Sequence, residues 1–258
     1  ANWQNTTFDV DAFGPDDNIG VRNGDPSGGL IDVDLDAMEA VAVAKSLLLT
    51  TQRIHGRPGK PDSHYWYVAP GLKPEQFKDI DGSMLVEIRG TGGQTVLPPS
   101  VHPSGDVLAW AIDRDPGKVD PAGLRDAVRL VATCALVIRH WPRGGRHNLL
   151  LAIAGFLAAK RVEITNAITT LSEITRVAEG EVWSDCDRAV RDSYATFAAG
   201  GKTTGGPSLA ALIGDVVVTI LNKWHGGTAD GFPNSEVGDA ECFASLHGDR
   251  VRKDKRRD

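Results

Sequence analysis

The hexapeptide Leu30-Ile31-Asp32-Val33-Asp34-Leu35 alternates apolar and acidic side chains with period two. As a strand it turns Asp32 and Asp34 to one face and Ile31, Val33 and Leu35 to the other. Same-face neighbours on a strand lie roughly 6.5–7 Å apart, close enough for two carboxylates to share divalent cations. An edge strand with a solvated acidic face has the same pattern, so the meaning of the pair depends on what else the chain supplies. A third acid, Glu87, sits in Ser83-Met84-Leu85-Val86-Glu87-Ile88-Arg89. A charge flanked by apolar residues is either on the wet face of a sheet or paired, a metal being one such partner. Arg57, Lys60, Ser63 and His64 fall within eight residues and offer donors that could converge on a triphosphate. Three prolines in the six residues Pro98-Pro99-Ser100-Val101-His102-Pro103 stiffen a loop that would hold Ser100 and His102 in fixed positions.

Residues 18–23 read as a short strand. The turn Gly24-Asp25-Pro26-Ser27-Gly28-Gly29 then predicts a hairpin with the acidic strand. Over 36–52 the spacing becomes helical, with Met38, Val41 or Ala42, Lys45 and Leu48 or Leu49 on one face. His64-Tyr65-Trp66-Tyr67-Val68 is the next strand, entered through a stiff loop over 56–63. A lone histidine where a loop becomes a strand is more often structural than a ligand. The strand at 83–89 follows, with Leu85, Glu87 and Arg89 on one face, and Gly90-Thr91-Gly92-Gly93 turns the chain into a strand at 94–97.

From Pro121 the pattern is helical, beginning with the stripe Leu124, Val128, Val131, Ala135 and Ile138. A second helix at about 147–160 is apolar almost all round. A third, at about 163–178, turns Ile164, Ile168, Leu171 and Ile174 inward. A fourth starts near Ser184 with Asp187 completing a weak capping box, and buries Cys186, Val190, Tyr194 and Phe197; a fifth runs over about 208–224. The chain is therefore expected to be α+β at 1–120, all-α at 121–225 and a flexible tail at 226–258.

The 258 residues are 41% hydrophobic, enough for a packed core, and their net charge of −6 is mildly against nucleic-acid binding, which needs Lys and Arg for phosphates. The distribution changes that. Residues 1–40 hold nine acidic side chains and one Arg, whereas 139–161 hold five Lys or Arg and no acid. Within the basic stretch Arg143 and Arg146 are candidate DNA contacts, weighed against a solvated helix start. Cys134, Cys186 and Cys242 make no CxxC pair, which fits a reducing cytoplasm, and no apolar run or signal pattern suggests a membrane or export. His55, His64 and His102 lack zinc-ligand spacing. Gly201-Lys202-Thr203 is not a phosphate-binding loop, since Thr196 stands where a glycine is needed.

Together, Asn18-Ile19-Gly20-Val21-Arg22-Asn23-Gly24, the acidic strand, Lys60-Pro61-Asp62-Ser63-His64, Glu87-Ile88-Arg89-Gly90-Thr91-Gly92 and Pro98-Pro99-Ser100-Val101-His102-Pro103-Ser104-Gly105 resemble the bifunctional primase/polymerase domain of the archaeo-eukaryotic primase superfamily, found in replication proteins of phages, plasmids and mobile elements. The helical part, with Arg146-His147-Asn148, Arg188-Ala189-Val190-Arg191 and Gly205-Gly206-Pro207, is more loosely similar to the helical domain that follows such cores. The resemblance implies an RRM-like core whose antiparallel sheet presents three acids, Asp32, Asp34 and Glu87, to two Mg²⁺ or Mn²⁺ ions. It implies that His64, beside Ser63, contacts the incoming triphosphate, with Lys60, Arg89, Ser100 and His102 as further nucleotide contacts. A strand, a helix and a Lys-Pro element usually precede the first motif, and only 17 residues do so here, so either the start of the core is abbreviated or the chain is a piece of a longer one.

The implied activity is template-directed nucleotidyl transfer by a primase, a DNA polymerase or both. The partners are single-stranded DNA template and NTP or dNTP, with any helicase supplied in trans or by a further C-terminal region. Attack of a 3′-hydroxyl on an α-phosphate needs no protein nucleophile, and none is suggested. The rival of another class is a non-catalytic replication-initiation module that binds DNA or a helicase, and a weaker one is a metal-dependent nuclease.

Overall fold

Strand β2 (Leu30–Leu35) is hydrogen-bonded along both edges, to β4 (Lys60–Val68) on one side and β6 (Met84–Arg89) on the other. The acidic strand is therefore central, and a solvated edge is excluded. A computed structural model describes residues 8–226 of the chain apart from Pro15, Arg143 and Gly145. Its main sheet runs β5 (Glu75–Lys78), β6, β2, β4, β3 (Arg53–Arg57), β8 (Ala109–Asp113), each antiparallel to the next, and β9 (Gly117–Lys118) pairs in parallel with the end of β4. The register places Asp32 opposite Trp66 and Arg89, and Asp34 opposite His64 and Glu87. Paired residues share a face, so polar side chains gather on one side of the sheet.

The other side carries Ile31, Val33, Leu35, Tyr65, Tyr67, Val86 and Ile88, all buried. Against it pack α1 (Met38–Leu47) and α2 (Pro121–Arg139). Behind them stand α3 (Arg146–Ala159), α4 (Ile164–Glu179), α5 (Cys186–Ala198), α6 (Gly206–Ile213) and α7 (Asp215–His225). One apolar core runs without a break from the sheet through α1 and α2 into the other helices. Helix α2 starts where Asp120 Oδ2 accepts from the Gly123 N–H at 2.9 Å, with Pro121 in the first turn. Among the described residues Cys134 and Cys186 are buried and unpaired, and no helix is long and apolar enough to cross a membrane.

Several local expectations are corrected. Residues 19–22 form β1 (Ile19–Arg22), yet β1 pairs with β7 (Gln94–Leu97) in a separate two-stranded ribbon, and the turn after it meets β2 at a Gly24–Leu30 bridge. From Asp32 to Asp34 both edges of β2 are filled by β4 and β6, so no hairpin with β1 is open there. The stretch read as a stiff loop at 56–63 is a β3–β4 hairpin turning at Pro58-Gly59, with a register shift at Gly56, where a Cβ would lie 2.6 Å from the Asp62 nitrogen. Helix α1 turns inward Ala40, Val43, Ala44 and Leu47, and leaves Met38 exposed, because small side chains let it pack closely against both the sheet and α2. Strands β3, β5, β8 and β9 were not foreseen. Helix α5 starts after Asp185 rather than Ser184, with no side-chain capping bond, and leaves Phe197 partly exposed, and the fifth predicted helix is two, broken at Gly214 with φ 98°. The expected tail lies outside the described residues from 227 onward.

His225 closes the bottom of the helical part. The Thr133 hydroxyl donates to Arg129 O at 2.8 Å, so His225 Nε2, also 2.8 Å from Thr133 Oγ1, must be the donor of that second bond. Burial, then the charges of Arg129 and Lys160, depress its pKa from 6.5 to about 3. The unfolded chain thus binds a proton in that window that the folded one does not. Stability is fully present above pH 6.5 and falls by about 1.4 kcal/mol per pH unit as pH drops toward the folded value. His225→Gln keeps a donor, and urea denaturation between about pH 6 and pH 4 is expected to show an acid limb shallower by about one proton.

Candidate active site

Asp32 and Asp34 project from β2 into the polar side of the sheet, 0% and 3% exposed. Asp32 is fully partnered. Its carboxylate lies 3.0 Å from His64 Nδ1 and accepts from Thr95 Oγ1 at 2.7 Å, a hydroxyl that the β1–β7 ribbon brings down onto the sheet. Asn23, itself buried, donates to Thr95 Oγ1 at 3.1 Å and to Arg89 O at 3.3 Å, which pins the ribbon in place. Asp34 is less well served. Arg89 contacts its Oδ2, while its Oδ1 is buried with no hydrogen-bond partner and has His64 Nε2 at 3.7 Å.

These surroundings push the two acids apart. For Asp32, burial raises the pKa, but His64, Arg89 and the Thr95 hydroxyl outweigh it and hold the carboxyl below its ordinary value. For Asp34, burial dominates and, with the nearby Asp32 charge, lifts the pKa to about 6 against the favourable pull of His64 and Arg89. His64 is lowered by burial but raised more by Asp32 and Asp34, so the net shift is upward. Its ring stacks on His55 at 4.3 Å between centroids and 6° between planes. His55 Nδ1 accepts from Trp66 Nε1 at 2.9 Å, and burial followed by the His64 charge drops its pKa to about 3. The stacked pair therefore carries its proton on His64, the ring in contact with Asp32.

A cavity of about 420 Å³ opens in front of Asp34. Its polar wall carries Lys60, Ser63, His64, Arg89, Arg57 and His102, and its apolar wall Val96, Val101, Pro103 and Leu108. Lys60 Nζ donates to Leu35 O at 3.1 Å and pairs with Asp36 at 3.4 Å, and Arg57 pairs with Asp106 at 2.7 Å. The site is thus a floor of buried carboxylates beside a cationic wall. Residues 2–125, nearly half of the chain, match the family described as bifunctional DNA primase/polymerase, N-terminal. These residues belong to that family. No curated protein and no solved structure matches the chain.

In this primase/polymerase domain five of the six expected nucleotide contacts, Lys60, Ser63, His64, Arg89 and His102, line one cavity. The sixth, Ser100, does not. It is buried, and its Oγ accepts from the Ile19 N–H at 2.9 Å, so it ties the proline-rich loop to β1. Arg143 and the side chain of Arg146 lie outside the described residues. The three expected metal ligands are neighbours in register but do not converge. Glu87 accepts from Gln76 Nε2 at 2.7 Å and pairs with Arg89 Nε at 2.8 Å, so the guanidinium stands among the acids. Among the described residues no group of three or more His, Cys, Asp or Glu is arranged to hold a metal ion. The donor chemistry of Asp32 and Asp34 nevertheless suits a hard divalent cation, and the unpartnered Asp34 Oδ1 is a lone pair available to one.

Thr95, Asn23, His55 and Trp66 were not identified from sequence as parts of the site. Their types are ordinary for strands and turns, and only the folding of the ribbon over the sheet brings Thr95 to Asp32. Thr95→Val removes a hydrogen bond to a buried charge and is expected to cost about 1.5–3 kcal/mol in urea denaturation at pH 7. The loss should shrink at low pH as Asp32 protonates.

Proposed function

We propose that the chain is a template-directed nucleotidyltransferase, a DNA primase, a DNA polymerase or both, that adds nucleotides to a 3′-hydroxyl in the replication of a phage or mobile element. The single observation that carries the reading is the junction of a buried carboxylate pair with a cationic cavity inside a primase/polymerase domain. Asp32 and Asp34 would hold Mg²⁺ or Mn²⁺, with Glu87 as the third acid. Divalent cations there would stabilise negative charge on the attacking and leaving oxygens.

The protein's own part is positioning. Lys60 and Arg57 supply positive charge for a triphosphate, and His102 and His64, the latter with its pKa raised by Asp32, add donors beside it. The apolar wall at Val96, Val101, Pro103 and Leu108 gives the nucleoside a surface that excludes water. The helical part, through Arg143 and Arg146, is the proposed path for single-stranded template. A helicase acting in trans is a further proposed partner.

The test is extension of a labelled primer on a single-stranded template with dNTPs and either Mn²⁺ or Mg²⁺. Metal-dependent lengthening that chelator stops is the expected result, and unprimed synthesis with ATP and dNTPs then asks for priming. Chelator-insensitive DNA binding without lengthening would overturn the reading in favour of a binding module. Metal-dependent shortening would mean a nuclease.

A further inference from the structure

Arg89 is oddly placed for a residue whose task is to grip a nucleotide. One terminal nitrogen contacts Asp34 Oδ2, the other lies 3.9 Å from Asp32 Oδ2, and Nε donates to Glu87 Oε2 at 2.8 Å. All three acids of the site meet on this one guanidinium. The same side chain borders the 420 Å³ cavity and is 27% exposed, so it has somewhere to go. Buried carboxylates this close need a cation, and here the chain supplies its own. It does so incompletely, because a planar fork engaged with Asp34 Oδ2 and Glu87 leaves Asp34 Oδ1 without a partner.

We propose that Arg89 is a displaceable internal cation. It fills the acidic site in the metal-free protein, leaves Asp32 and Asp34 when a divalent cation binds them, and is thereby freed to pair with the triphosphate in the adjoining cavity. The inference rests on the reading of Asp32 and Asp34 as cation ligands. It makes metal and nucleotide binding mutually reinforcing. A nucleotide gives the released guanidinium a new anionic partner, so it tightens metal binding, and metal must tighten nucleotide binding by the same factor. Glu87, released from Arg89 in the same step, becomes available to the cation.

The experiment is titration of Mn²⁺ into the full chain, read from the paramagnetic resonance of the free ion and from the melting temperature, with and without a non-hydrolysable dNTP analogue. Without nucleotide, Arg89→Gln is expected to bind Mn²⁺ roughly tenfold or more tightly than wild type, because a competing charge within about 4 Å has gone. It should gain more in melting temperature from Mn²⁺, and lose the tightening that the analogue produces in wild type. Equal or weaker binding by Arg89→Gln, with Asp34→Asn abolishing binding, would overturn the Arg89 role and leave the metal reading standing. Asp34→Asn binding like wild type would sink both. If Arg89→Gln does not fold without metal, recovery of its melting transition on adding Mn²⁺ supports the proposal. If it does not recover, Arg89→Lys decides: tighter Mn²⁺ binding than wild type supports the proposal, and equal or weaker binding overturns it.

Discussion

Asp34→Asn is expected to reduce primer extension by about a thousandfold while making the protein more stable. The loss follows from removing a charged oxygen donor beside the cavity, since an amide is a poor ligand for a hard cation and adds no charge. The gain follows from burial. Asp34 is 3% exposed and its folded pKa is raised from 3.8 to about 6. The folded state therefore holds a proton on Asp34 that the unfolded chain has already lost in that window. Above the folded value the ionised carboxylate costs the fold about 1–3 kcal/mol. Asparagine never carries that charge, so urea denaturation at pH 8 should show the variant more stable, and the difference should vanish near pH 4. A variant that lost extension and stability together would mean that Asp34 is a structural residue and that its activity loss is indirect.

The second large effect is expected at Gly24, eight residues before Asp32. Its φ of 76° and ψ of −141° are a conformation open to glycine, and a Cβ there would lie 2.2 Å from the Thr91 backbone nitrogen. Strain and backbone collision add, and Gly24→Ala is expected to cost about 3 kcal/mol or more, lowering the melting temperature by roughly 10 °C. Gly28 is the internal control. Its φ of 66° is equally left-handed, but nothing lies within 4 Å, so Gly28→Ala should cost only about 1 kcal/mol. Gly24 adjoins Asn23, which pins the ribbon over Asp32, so its variant should also lose extension at temperatures where it remains folded. Equal melting temperatures for the two variants would show that the Thr91 contact gives way.

Much of this was legible from the sequence because it depends on local periodicity. Alternation placed Asp32 and Asp34 on one face of β2, threes and fours gave α2 and α4, and a nearly unbroken apolar run gave α3, each to within a few residues. What was not legible depends on partners far along the chain. Residues 18–23 carry a strand signal but no information that β7, more than seventy positions away, is their partner. Helix α1 misled because Met38 outweighs alanines on a hydrophobic scale, whereas a helix packed against both a sheet and α2 favours small side chains on its inner face. Ser100 shared a stiff loop with His102, yet the two point to different tasks. Glu87 was read as a charge either on a wet sheet face or paired, and in the fold it is paired, with Arg89 and Gln76.

Strand β2 carries Asp32 and Asp34 on its front and Ile31, Val33 and Leu35 on its back, in contact with a core that extends into α2 and α4. Nothing cushions one from the other. The positional spread of the two carboxylates is set by how stiffly α1 and α2 hold the back of a single strand, and a catalytic constellation tolerates only about 0.5 Å of error. A displacement of α1 or α2 is therefore passed to the two carboxylates through one strand.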